Sequence, residues 1–172
     1  MTHSATTTDL RQMLLAELEQ EGKVTRRVLQ RVPEASFGWR PHQRSFSLGQ
    51  LALHIAIIPS LGERLLTPDV GSPPEFVQGE AGSSAELIGA LDQSLASARK
   101  FLSELTPERA EASWRLVRGG RELMAAPRIV MVRSLMFNHW YHHRGSLVVY
   151  LRLLDVPVPS VYGPTADEKL FP

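Results

Sequence analysis

The chain has 172 residues, 43% of them apolar and 22% charged, with 19 basic against 18 acidic residues and no cysteine. That length makes one domain with enough apolar surface for a core, and the composition excludes a disordered chain or a disulfide-built mini-protein. A net charge of +1 argues against a dedicated nucleic-acid or polybasic membrane binder, and the missing cysteine excludes disulfides, thiolate ligands and a cysteine nucleophile.

The absence of cysteine also fits a reducing cytoplasm, the expected compartment. The opening residues Met1-Thr2-His3-Ser4-Ala5-Thr6-Thr7-Thr8 lack the basic start and apolar stretch of a signal peptide. No stretch approaches the roughly 18 apolar residues of a membrane span.

Periodicity predicts four helices and no strand. The first covers 9–32: Leu10, Met13, Leu14, Leu18, Val28 and Val32 recur at spacings of three and four, with Thr8 as cap and Pro33 as stop. Arg26, Arg27 and Arg31 cluster on it behind Glu17, Glu19 and Glu21, the mixed charge of a solvated face. The second covers 47–66. Ser47 with Gln50 makes a capping box, Leu48, Leu51, Ile55, Ile58, Leu65 and Leu66 mark its inner face, and Pro59 should kink it. A loop rich in Gly and Pro follows, from Thr67 to Gly82.

The third helix covers 84–105, opened by a second capping box of Ser83 and Glu86, with a stripe of Leu87, Leu91, Leu95, Leu102 and Leu105. Thr106 to Ala126 is less regular, and Arg118-Gly119-Gly120-Arg121 reads as a tight turn. The fourth helix covers 127–154, with Pro127 at its first position. Pro157, Pro159 and Pro164 keep the rest non-helical. The expected fold is therefore all-α, a single four-helix-bundle domain over 1–172, with an N-terminal tail at 1–7 and a Pro-rich tail at 155–172.

Chemistry concentrates in the histidines. His139 and His143 lie four apart on the fourth helix, so their rings leave one face about 40° apart and one turn up. Val132, Leu135, Met136 and Leu147 share or flank that face, so it looks inward. His54 sits among Leu51, Ile55, Ile58 and Leu65 on the second helix, also inward. A single histidine on such a face is usually a hydrogen-bonded core residue. Three directed into one core are costly unless something satisfies them, and a divalent metal would, leaving a position open for water or substrate. His142 points about 100° away from His143 and is left out as a ligand. His42, in a linker, and His3, near the start, are expected in solvent. The zincin signature needs Glu directly after the first His. Trp140 stands there, which disfavours a metalloprotease.

Phe37-Gly38-Trp39-Arg40-Pro41 followed by Ser47-Leu48-Gly49-Gln50-Leu51-Ala52-Leu53-His54 resembles the DinB/YfiT-like superfamily. So does Asn138-His139-Trp140-Tyr141-His142-His143-Arg144-Gly145 followed by Val156-Pro157-Val158-Pro159-Ser160-Val161-Tyr162-Gly163-Pro164. The resemblance implies a four-helix bundle, often dimeric, holding a divalent metal through three histidines, which match here to His54, His139 and His143. Imidazole is a borderline donor that suits zinc, nickel, cobalt or iron(II), with no cysteine to favour soft ions; zinc is the first choice and nickel the second, and a small-molecule substrate is expected. Relatives include S-transferases or isomerases that use a low-molecular-weight thiol, and proteins resembling metal hydrolases. A metal-dependent transferase of the thiol-dependent type, or a hydrolase, is thus the leading expectation, in which the ion acts as a Lewis acid. A non-catalytic metal-binding stress-response protein is the alternative.

A homodimer is expected through the fourth helix. Phe137, Tyr141, Val148 and Leu151 fall opposite the histidine face, and a helix apolar on both sides is normally buried all round. Arg133, Arg144 and Arg152 interrupt that outer face. Neighbouring helices or the Pro-rich tail are the alternative cover.

Overall fold

The computed structural model describes residues 3–73 and 78–169, with side chains from residue 10 onward. The parts of the expected loop and tails at 1–2, 74–77 and 170–172 lie outside the described residues. The protein is mostly helical with a small three-stranded sheet, and the all-α expectation is corrected on that point.

Helix α1 runs His3–Leu29. It starts earlier than expected, with Thr8 inside it rather than capping it, because neither Gly nor Pro interrupts the first residues. Pro33 then takes an extended backbone. Helix α2, Leu48–Ile57, opens on the expected capping box. The Ser47 Oγ accepts the Gln50 N–H at 3.2 Å and the Gln50 side chain accepts the Ser47 N–H at 2.9 Å. Pro59 does break the run. Residues Ile58–Ser60 form one 3-10 turn before α3, Leu61–Leu66. Ser60 stitches the break: its hydroxyl donates to the Ile57 carbonyl at 2.7 Å and its N–H to Ser94 Oγ at 2.9 Å.

Helix α4, Ser84–Ser103, is capped by Ser83. Only half of the expected box forms, since the Glu86 carboxylate takes the N–H of Gly82 instead, at 2.6 Å. The irregular stretch holds a short helix α5, Pro107–Glu111, and two strands, β2 (Ser113–Arg118) and β3 (Arg121–Pro127). They pair antiparallel around Gly119 and Gly120, both at positive φ (57° and 78°), which a two-residue hairpin turn requires. A two-residue strand β1, Val70–Gly71, adds parallel to β2 from inside the expected loop, giving the order β1-β2-β3. Buried Arg128 ties this corner together, donating to the carbonyls of Leu66 (2.9 Å) and Arg109 (2.7 Å) and to Asp69 (2.5 Å).

The last helical run is continuous but not uniform. Helix α6, Arg128–Met131, passes into a π-helical turn over Val132–Asn138 and then into α7, His139–Leu153. Helix α4 packs on α1 and α2, and α7 packs on α2 and α1. Leu18, Val28, Leu51, Ile55, Leu91, Leu102, Met136, Trp140 and Leu147 meet in the core, each at most 2% exposed.

The face of the last helical run opposite the histidines is largely covered within the chain. Phe137 and Leu151 are fully buried. Arg133 and the Tyr141 hydroxyl both donate to Glu17 of α1, at 2.5 and 2.7 Å. The Pro-rich segment after α7 folds back, with Asp167 accepting from Val158 N–H at 2.8 Å and from Arg152 at 2.5 Å. Among the described residues no helix is long and apolar enough to cross a membrane.

Candidate metal centre

The capping box fixes where α2 begins, and His54 follows nearly two turns later, only 6% exposed. The π turn sets the position of the other two histidines. At its end the His139 N–H reaches the carbonyls of Ser134 and Met136 and passes over Leu135. The Leu135 oxygen instead accepts from His139 Nδ1 at 3.3 Å. A carbonyl can only accept, so Nδ1 carries the proton and the Nε2 lone pair is presented to the site. His143 stands one turn further along α7, half-buried like His139.

The three rings converge. Ring centroids are 5.2 Å apart for His54 and His139, 4.6 Å for His54 and His143, and 4.7 Å for His139 and His143. One nitrogen from each lies within 4.8 Å of the others, so the trio could hold a metal ion. The closest pair, His54 Nε2 and His139 Nε2, is 3.3 Å apart. Two nitrogens each about 2.0–2.1 Å from one tetrahedral ion stand about 3.3–3.4 Å apart, the spacing of this pair, and the third nitrogen lies within reach of both.

The protonation states fit too. Burial, and then His139, push His54 from the usual 6.5 down to about 4. Burial, then His54, His139 and His142, bring His143 to about 4 as well. His139 is lowered chiefly by burial, against the Leu135 carbonyl, which favours its charged form. Neutral imidazole is the form that binds metal.

The structure brings together the three histidines singled out from the sequence. His142 is exposed beside His143, with centroids 4.9 Å apart, and is not among the converging three. His42 is exposed, its Nδ1 accepting the Arg44 N–H, and the side chain of His3 lies outside the described residues. Trp140, where a zincin carries its base, is fully buried in the core, so that position cannot serve the site. Two features escaped sequence reasoning. The Leu135 carbonyl is freed only by the π turn. Phe46 leans on two of the rings, at 5.8 Å from His54 and 6.5 Å from His143.

Fold and site together define a mostly helical protein with three imidazoles gathered between two of its helices. The chain belongs to the DinB family, whose model matches residues 1–169. It is similar in fold to a DinB-like protein from Bacillus subtilis, at 18% identity over 92% of this chain and 99% of that one, with a TM-score of 0.65. A DinB-like protein from Bacillus cereus is similar at 22% identity over 86% and 95% of the two chains, with a TM-score of 0.64. No curated protein matches the chain.

Proposed function

We propose that His54, His139 and His143 hold one divalent ion, zinc by first choice and nickel by second, and that the protein is a metal-dependent transferase of the thiol-dependent type or a hydrolase. The observation that carries this is the convergence of three neutral imidazoles with their nitrogens within 4.8 Å. Structural zinc sites are closed by four protein ligands, whereas catalytic ones use three and keep a position open. Among the described residues the cluster contains three histidines and no carboxylate, which favours catalysis over the non-catalytic reading. When bound, the ion supplies Lewis acidity toward a small-molecule substrate. The chain supplies the rest: His139 is held in one tautomer by Leu135, and burial of His54 keeps its ring neutral.

The homodimer belongs to the same proposal. Phe137 and Leu151 of the face opposite the histidines are already buried, so the contact is proposed on a different face of α7, at its exposed apolar residues Val149 and Leu153. Light scattering of the protein and of a Val149→Lys, Leu153→Lys variant tests it, and a monomeric parent rejects it.

Metal analysis of the purified protein, followed by a screen of thiols against electrophilic acceptors and ester substrates, tests the main reading. One equivalent of metal with metal-dependent turnover is expected. Metal without turnover of any kind would return the non-catalytic alternative.

A further inference from the structure

The loop between Trp39 and α2 is polar and exposed along 40–44, then delivers one half-buried aromatic ring, Phe46, to the histidines. That ring tilts 59° to His54 and 35° to His143. His54 itself is buried, while His139 and His143 are half-buried. Phe46 keeps some exposure, as do His139 and His143, so the ring borders the less enclosed side of the trio. Its position is fixed by more than its own packing. The Tyr150 hydroxyl donates to the Phe46 carbonyl at 3.4 Å, Trp39 meets Tyr150 edge-on at 5.6 Å, and the Leu48 N–H closes the loop onto the Trp39 carbonyl at 2.8 Å.

We infer that Phe46 is the specificity wall of the centre, and that the substrate carries an apolar, ring-sized group beside the atom it offers to the ion. This rests on the metal reading above. Imidazole nitrogens and an ion select by charge and lone pair and cannot distinguish a methyl from a phenyl substituent. A preorganised aromatic ring at their rim can, because aromatic pairs gain from offset or edge contacts at about 4.5–7 Å and from the water they release. If Phe46 only shielded the imidazoles, it would support metal affinity without discriminating between ligands.

Acetohydroxamate and benzohydroxamate, titrated calorimetrically into the zinc-loaded full chain, separate these roles. The parent should prefer benzohydroxamate by at least about tenfold beyond the preference of aqueous zinc, the scale on which an apolar pocket discriminates. Phe46→Ala should bring that preference to within about twofold of aqueous zinc while still binding one zinc. Phe46→Tyr should restore it. Should Phe46→Ala fail to fold, Phe46→Leu serves, with an intermediate preference expected. A parent with no excess preference, or a Phe46→Leu or Phe46→Ala variant that keeps all of it, overturns the inference and leaves the metal reading standing. A parent that takes up no zinc, nickel or cobalt overturns the metal reading and the inference with it.

Discussion

His139 shows how little chemistry separates a core histidine from a ligand. Its Nδ1–H is spent on the Leu135 carbonyl, so its other nitrogen has only a lone pair to offer, 3.3 Å from that of His54. Replacing His54, His139 or His143 by Ala should abolish stoichiometric metal binding, since each removes one of three donors. His142→Ala and His42→Ala should retain it, and metal analysis after gel filtration reads the difference. Proton linkage makes a second prediction. With folded values of about 4 for His54 and His143 against roughly 6.5 in an unfolded chain, the unfolded chain binds protons more readily in between. Stability of the metal-free protein is therefore full above about pH 6.5 and falls as pH drops toward 4. Each ring contributes at most about 1.4 kcal/mol per pH unit. Urea unfolding between pH 7.5 and 4.5 should show this slope, reduced in His54→Gln. An unchanged slope would mean that the rings are not held neutral by burial.

Among the elements, the helices were legible where a local rule acts alone. Ser47 and Gln50 announce the start of α2, and Pro59 announces the break after Ile57. Ser47→Ala should cost about 1 kcal/mol by denaturant titration, the usual worth of such a cap. The hairpin was not legible because β3 is almost wholly exposed and reads Arg-Glu-Leu-Met-Ala-Ala, residues that favour helix. With neither face buried, no alternation marks it. Gly119-Gly120 was the available signal, recognised as a turn but not as a hairpin. Gly120→Ala should lower stability by about 1 kcal/mol, because φ is 78° there, with metal binding untouched. The π turn leaves no mark in Val-Arg-Ser-Leu-Met-Phe-Asn, which is why the candidate ligands could be read from sequence but the group that orients His139 could not.

The whole molecule is closed by a pair that composition gives no hint of. Arg144 follows a proposed ligand directly, yet it turns toward α1, 1% exposed, and meets Glu21 at 2.5 Å. It also donates to Thr25 at 3.0 Å and to the Tyr162 hydroxyl at 2.6 Å, while the rings of Tyr141 and Tyr162 flank its guanidinium at 5.2 and 5.1 Å. One side chain thus joins the first helix, the last helix and the segment beyond it. A buried ion pair adds little net stability over apolar residues of similar volume, but removing one partner strands the other charge. Arg144→Met alone should therefore destabilise the protein by about 3–5 kcal/mol. Arg144→Met combined with Glu21→Leu should recover most of that loss, because no buried charge remains. Tyr162→Phe, which keeps the ion pair but removes the acceptor for Arg144 and the donor to Glu21, should cost less, about 1–2 kcal/mol. Urea titrations of the three variants order these outcomes. A double variant as unstable as Arg144→Met alone would show that the flanking rings, rather than the charges, hold the closing segment in place.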